Sequence, residues 1–378
     1  MSSSAYARRQ GDPRVSDFVL GNPHELALPA FVQALQSAVV PRDKNWFAYT
    51  MTDPGAARVV AASLRERVGL EVDTDDVFMT NGAFTGIAVA LQTIVDPGDE
   101  VIFQSPPWFF HEPLIAWAGA TPVRVKVDPR DFDLDLGAIE SAITGRTRAI
   151  VVNSPHNPTG RIYPPTTLER LAQILRAASA RHGRTIYLLS DEAYRRIVFD
   201  GRAFPSPARF YPSTFVIYTY GKQLLTPGQR LGYIALPATM PDRQEFRRMI
   251  PFTTILTGWG FPNALLQHAL PDLEKTSIDI AHLQRKRDRF VGELRRIGYE
   301  VHVPEGTFYL TPRSPMSDDV AFSDLLAVRD VFVLPGALTE MPGYFRISLT
   351  ASDDMIDRSL AGFAAALAEA KGERVTAR

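Results

Sequence analysis

The strongest constraint on the fold of this chain is a set of six short apolar runs, at 100–104, 121–127, 148–152, 185–190, 214–219 and 232–236. Each is bounded by turn formers and rich in β-branched residues, as buried strands are. Helical stretches such as 168–182 lie between several of them, and this alternation predicts a mostly parallel sheet covered by helices on both faces. Upstream, 56–69 and 85–95 read as helices, the second stopped by Asp96-Pro97-Gly98-Asp99. Beyond 262 the texture changes to a long charged helix at 276–297, short strands at 308–310, 331–334 and 345–349, and a last helix at 353–369. The expected fold is therefore α/β: a large domain at 46–262 and a smaller, discontinuous α+β domain from 19–45 and 263–378. Residues 1–18 are expected as a flexible N-terminal arm.

Composition excludes several function classes. Lys+Arg 41 against Asp+Glu 42 leaves a net charge of -1, so no global field favours nucleic acid or an anionic membrane. With no cysteine there is no disulfide, thiolate nucleophile or Cys-ligated metal, and no metal is expected. No window reaches the roughly 18 apolar residues that span a bilayer. The Ser- and Arg-containing start has no apolar core of a secretory signal, and Asp12 and Asp17 argue against a transit peptide. A soluble, cytoplasmic protein is expected.

In a parallel sheet, ligands lie beyond the carboxyl ends of the strands, so the residues after each run are the ones to weigh. After 148–152 comes Asn153-Ser154-Pro155-His156-Asn157-Pro158-Thr159-Gly160, either a well-made turn or a presented amide at Asn157. After 185–190 comes Asp191-Glu192-Ala193-Tyr194; Asp191 is either a helix N-cap or a carboxylate partnered by a cation. After 214–219 comes Tyr220-Gly221-Lys222, a solvated lysine or an amine nucleophile toward an aldehyde, with Arg230 eight residues on, suited to a phosphate or carboxylate. Gly82, Ala83 and Phe84 open a helix and expose backbone N–H groups at its positive end, an anion site by construction.

Together and in this order, these residues resemble the fold-type I pyridoxal phosphate enzymes, specifically the class I/II aminotransferases of aspartate aminotransferase-like fold. The matching text is Asn157-Pro158-Thr159-Gly160, Asp191-Glu192-Ala193-Tyr194, Lys222 with Pro227-Gly228-Gln229-Arg230-Leu231-Gly232-Tyr233, Pro304-Glu305-Gly306-Thr307-Phe308-Tyr309, and Arg346 in Phe345-Arg346-Ile347-Ser348. The resemblance implies that Lys222 forms a Schiff base with pyridoxal 5'-phosphate and acts as acid and base, and that Asp191 pairs with the ring nitrogen. It implies that Tyr194 and Asn157 bond the ring hydroxyl, that Trp108 stacks on the ring, and that His111 supports Asp191. The phosphate is expected on Gly82, Ala83, Phe84, Thr219 and Arg230, with Tyr49 reaching in from the partner subunit of a homodimer. Arg346, with Gly21 and Asn157, is expected to take the substrate carboxylate.

Two departures stand out. Gly221 occupies the place where many relatives carry serine, and Pro335-Gly336-Ala337-Leu338-Thr339-Glu340 replaces a common Pro-Gly-x-x-Phe-Gly. The expected reaction is transamination between an L-amino acid and a 2-oxo acid, with a lyase or an oxygen-dependent oxidase on the same scaffold as the alternative. Trp46, Phe47, Phe308, Tyr309 and Trp259 suggest an apolar or aromatic substrate; Arg42 and His24 are the candidates for binding a distal carboxylate.

Overall fold

A computed structural model describes residues 5–372. In chain order the strands are β1 (Ser16–Asp17), β2 (Val77–Thr80), β3 (Glu100–Ser105), β4 (Thr121–Lys126), β5 (Thr147–Asn153), β6 (Tyr187–Asp191), β7 (Thr214–Thr219), β8 (Gly232–Ala235), β9 (Tyr309–Leu310), β10 (Val331–Phe332), β11 (Leu334–Pro335) and β12 (Phe345–Ser348). A seven-stranded sheet runs β2-β8-β7-β6-β5-β3-β4. Only β8 runs against its neighbours in it, pairing antiparallel with both β2 and β7.

Period-two alternation sends successive side chains to opposite faces, and both faces are buried. Val101, Phe103, Val151, Leu189, Phe215 and Ile217 pack on one side with helices Ala83–Ile94 and Arg243–Leu256. Ile102, Ile150, Val152 and Leu188 pack on the other with Pro165–His182. The edge strand β4 is largely exposed, which is why its run is the least uniformly apolar.

The small core gathers Phe290, Phe308, Phe322, Phe345 and Phe363 around the antiparallel sheet β11-β12-β9. Two elements expected there lie elsewhere. Helix Pro29–Ala38 buries Phe31, Ala34 and Ala38, and helix Ala264–Leu273 buries Leu266, Leu270 and Leu273, in one cluster with Val60, Leu64 and the large sheet. Their apolar stripes complete the large domain, so its core reaches past 46–262 at both ends. Pro251 and Pro271 lie inside helices, a placement that hides such helices from sequence reading. Of the expected arm, residues 5–18 are tied down instead. Tyr6 packs edge-on against Phe332, Arg9 pairs with Asp330 at 2.6 Å, β1 pairs parallel with β10, and Phe18 is buried in the small core.

Gly160 joins the two parts. It holds φ 74°, a Cβ there would overlap the Pro304 side chain and come within 2.8 Å of the Gly306 carbonyl, and its own carbonyl accepts the Glu305 and Gly306 amides at 3.0 Å. Gly160→Ala combines a disfavoured backbone region with overpacking, and a loss of about 2–4 kcal/mol of stability is expected. A urea midpoint unchanged from the parent protein would count against this.

Candidate active site

The carboxyl ends of β3, β5, β6 and β7 share one edge of the sheet, and the residues there are polar and buried. Each polar group therefore needs a partner. The Asn153 side chain donates to the Asp191 carbonyl at 3.0 Å and accepts the Asn157 amide at 2.8 Å. The Asp191 carboxylate accepts the Ala193 amide at 3.3 Å and meets His111 Nε2 at 3.3 Å. Asp191 ends the strand rather than capping a helix. The remaining nitrogen of His111, Nδ1, is buried without a partner.

Asn157 Oδ1 accepts from Arg346 Nη1 at 3.1 Å, and Arg346 Nη2 donates to the Val19 carbonyl at 3.0 Å. Arg346 Nε is buried without a partner. The guanidinium lies 4.0 Å from the Tyr309 ring centre, and the Tyr309 hydroxyl is 3.5 Å from that of Tyr194. Burial pushes the Tyr194 phenol well above its ordinary pKa. Burial would also raise Tyr309, but the positive charges of Arg346 and Lys222 outweigh it and hold that phenol below its ordinary value. Lys222, in the single turn Tyr220–Gln223 after β7, puts Nζ 5.5 Å from the Tyr194 ring centre and 5.6 Å from that of Phe308.

Gly82 caps helix Ala83–Ile94 with φ 91°. A Cβ on it would lie 2.8 Å from Arg230 Nη2 and 3.4 Å from Thr219 Oγ1, so the missing side chain leaves a small cradle among three groups suited to an anion. A Cβ on Gly221 would approach Pro227 Cα at 3.2 Å, a physical reason for glycine before the lysine.

A cavity of ≈ 250 Å³ is lined by Ala83, Phe84, Trp108, Asn157, Asp191, Tyr194, Thr219, Lys222, Arg230, Arg346 and Gly21. His111 lies beneath it, edge-on to Trp108 at 5.3 Å between ring centres. Tyr49 stands outside, 87% exposed, its ring 4.8 Å from Phe261. Among the substrate-wall candidates, Tyr309 lines the cavity, joined by Phe84, Trp108 and Phe109. Trp46 is stacked on His268, Phe47 is exposed, and Trp259 serves Asn81 through its carbonyl. Phe308 fills the wall behind Lys222 and faces a second cavity; Arg42 lies over Trp46. Neither Arg42 nor His24 is among the lining residues.

Two supports escaped the sequence reading. His156, directly after Pro155, donates from Nε2 to the Pro106 carbonyl at 2.9 Å and accepts the Thr159 hydroxyl on Nδ1 at 2.7 Å, tying the Asn157 turn to the loop that carries Trp108. Beneath it, buried Glu192 pairs with Arg195 at 3.2 Å and accepts Ser206 at 2.5 Å, and Arg195 also bonds the Tyr233 hydroxyl. An acid and a base three apart at 192 and 195 were the available signal for that pair.

Residues 15–363 match the model of the family described as Aminotransferase class I and II, and the chain belongs to that family. It is an aminotransferase that uses pyridoxal phosphate. It is 31% identical over 370 residues to a probable aspartate/prephenate aminotransferase of Thermus aquaticus, covering 95% of this chain and 93% of that one. A probable N-succinyldiaminopimelate aminotransferase of Mycobacterium tuberculosis is 32% identical over 84% of this chain and 79% of its own. Among solved structures, an amino transferase from Eubacterium rectale superposes with TM-score 0.91 at 29% identity, over 97% and 93% of the two chains. Aspartate aminotransferase from Thermus thermophilus with maleate gives 0.82 at 29%, over 96% and 94%. The cavity fits the cofactor: it offers an amine, a carboxylate, an aromatic face and an anion cradle. Among the described residues no helix is long and apolar enough to cross a membrane.

Burial holds the His156 pKa at about 3, far below its ordinary 6.5. The unfolded chain therefore binds a proton that the folded one refuses, and stability is complete above pH 6.5 and falls as pH drops toward 3. This one group contributes a slope of about 1.4 kcal/mol per pH unit in that window. In His156→Gln, urea titrations between pH 6 and 4 should show the slope reduced by about that amount; an unaltered slope would refute a neutral buried imidazole.

Proposed function

We propose that the enzyme moves the amino group of an L-amino acid with an apolar or aromatic side chain to a 2-oxo acid, with Lys222 as the amine that holds the cofactor. The observation that carries this is one cavity shared by Lys222, Asp191 and Arg346. Pyridoxal phosphate, when bound, supplies an aldehyde for amines and a ring that withdraws electrons from the substrate Cα. The Asp191 carboxylate holds a proton on the ring nitrogen, and His111 keeps that carboxylate in place. Gly82, Ala83 and Phe84 receive the phosphate on backbone N–H groups, with Arg230 and Thr219 closing the cradle. Asn157 and Tyr194 bond the ring hydroxyl, and Trp108 covers the ring face. Arg346, with its free Nε, and the close backbone of Gly21 orient the substrate carboxylate. The Lys222 amine would serve as the base for the Cα proton and as the acid that delivers it to the aldehyde-derived carbon across the nitrogen.

The substrate class follows from the lining. Its cations are Lys222, Arg230 and Arg346, each already engaged in this reading, while Phe84, Trp108, Phe109 and Tyr309 form the walls. A second carboxylate would find no cation in the lining, and an apolar side chain would find aromatic surface. Lys222→Ala should lose the visible absorbance of the covalently held cofactor and at least 10³-fold of activity while keeping its fold by circular dichroism. With pyruvate as acceptor, aromatic donors should give a kcat/KM at least tenfold above aspartate. A preference for aspartate would overturn the substrate class, and ammonia or peroxide release in place of a new amino acid would overturn transamination.

A homodimer belongs to the same reading. Phe252, Ile255, Leu256 and Phe261 are exposed together with Phe47 and Tyr49, an apolar surface of the kind a second copy covers. Sedimentation should give about twice the mass of one chain, and Phe252→Glu with Leu256→Glu should shift it toward one. A monomeric parent protein would remove Tyr49 from the site.

A further inference from the structure

The segment where this chain departs from the common pattern, 335–340, is a built structure. Between β11 and β12 the chain folds back so tightly that a Cβ on Gly336 would overlap the carbonyls of Met341 and Tyr344. Buried Asp319 clamps the segment at both ends, accepting the Ala337 amide at 3.1 Å and the Gly343 amide at 2.8 Å. The buried Thr339 hydroxyl donates to the Gly336 carbonyl at 3.1 Å. These bonds leave Glu340 at φ 58°, a left-handed position where a non-glycine residue is unusual and where strain often marks function.

From there the Glu340 carboxylate crosses to the large sheet. It accepts the Ser105 hydroxyl at 2.8 Å and pairs with Arg124 Nε at 3.0 Å. Ser105 ends β3 and begins the Pro106-Pro107-Trp108 loop, and Arg124 lies on β4. Arg124 also pairs with Glu112, the neighbour of His111. The strand that follows Glu340 carries Arg346. One carboxylate thus ties the small-domain strand that holds Arg346 to the root of the loop that holds Trp108.

We propose that Glu340 is a positioning residue: a charge latch between the two domains that fixes the distance from Arg346 to the Trp108 wall and so sets the affinity for substrate. Its functional half rests on the aminotransferase reading above, because substrate is there held between those two walls. The pairs are partly exposed, so the latch is modest and sensitive to salt.

The test compares the parent holoenzyme with Glu340→Ala, Arg124→Ala and the double variant at low and high NaCl. KM for the donor should rise about three- to tenfold in each single variant, with kcat changed less than KM. The double variant should be no worse than either single one, and KM of the parent, but not of the variants, should rise with salt. Hydrogen exchange supplies a readout independent of turnover: peptides spanning 336–343 and 105–111 should both exchange faster in Glu340→Ala. Faster exchange in Glu340→Ala, together with a parent protein inactive on every amino acid, would sink the aminotransferase reading and leave the latch standing. Unchanged exchange in both peptides, an unchanged KM, or additive effects in the double variant would overturn the latch.

Discussion

The whole site hangs from one side chain, Asn153. Where β5 and β6 end side by side, its amide uses both of its functions at once, donating to the Asp191 backbone and accepting the Asn157 backbone. The carboxylate and the turn that contacts Arg346 are thereby fixed to each other before any ligand arrives. Buried polar networks are rigid only when every member is satisfied, and this one nearly is. The exceptions, His111 Nδ1 and Arg346 Nε, are nitrogens beside the cavity.

Electrostatics act on top of that frame. The chain has almost no net charge, yet Lys222, Arg230 and Arg346 converge on one small volume with a single carboxylate, Asp191, among the lining residues. The charges of Arg346 and Lys222 draw the Tyr309 phenol down despite burial. A site of this kind attracts an anionic cofactor and an anionic substrate by the same field and then separates them by geometry. Arg346 lies over the Tyr309 ring at 4.0 Å from its centre, a cation–π contact that supports the guanidinium beside the cavity both residues line.

The residues legible in the sequence were those whose chemistry is local. Buried parallel strands announce themselves as unbroken apolar runs, and Asp191, Asn157, Lys222 and Arg230 follow such runs at short distance. What was not legible depends on long-range packing. The helices that contain Pro251 and Pro271 are not predicted as individual elements, and Phe31 and Leu270 join the large core only because the chain returns there from both ends. Residues 5–18 carry too few apolar side chains to predict docking, and their placement depends on Phe332 and Asp330, more than three hundred residues away. His156 looked like part of a turn, and Glu340 like a simple departure, because both act on partners far along the chain.

The reversal of β8 has a consequence for how the enzyme can change. Because β7 and β8 pair antiparallel with Thr219 opposite Gly232, residues 220–231 form a connection that leaves and re-enters the same edge of the sheet. Lys222 and Arg230 are therefore carried on one short loop with both ends anchored, where a parallel neighbour would have required a crossover helix between them. Their separation is inherited as a unit. Selection can retune substrate walls on other loops, one at a time, while the spacing that suits the cofactor stays fixed.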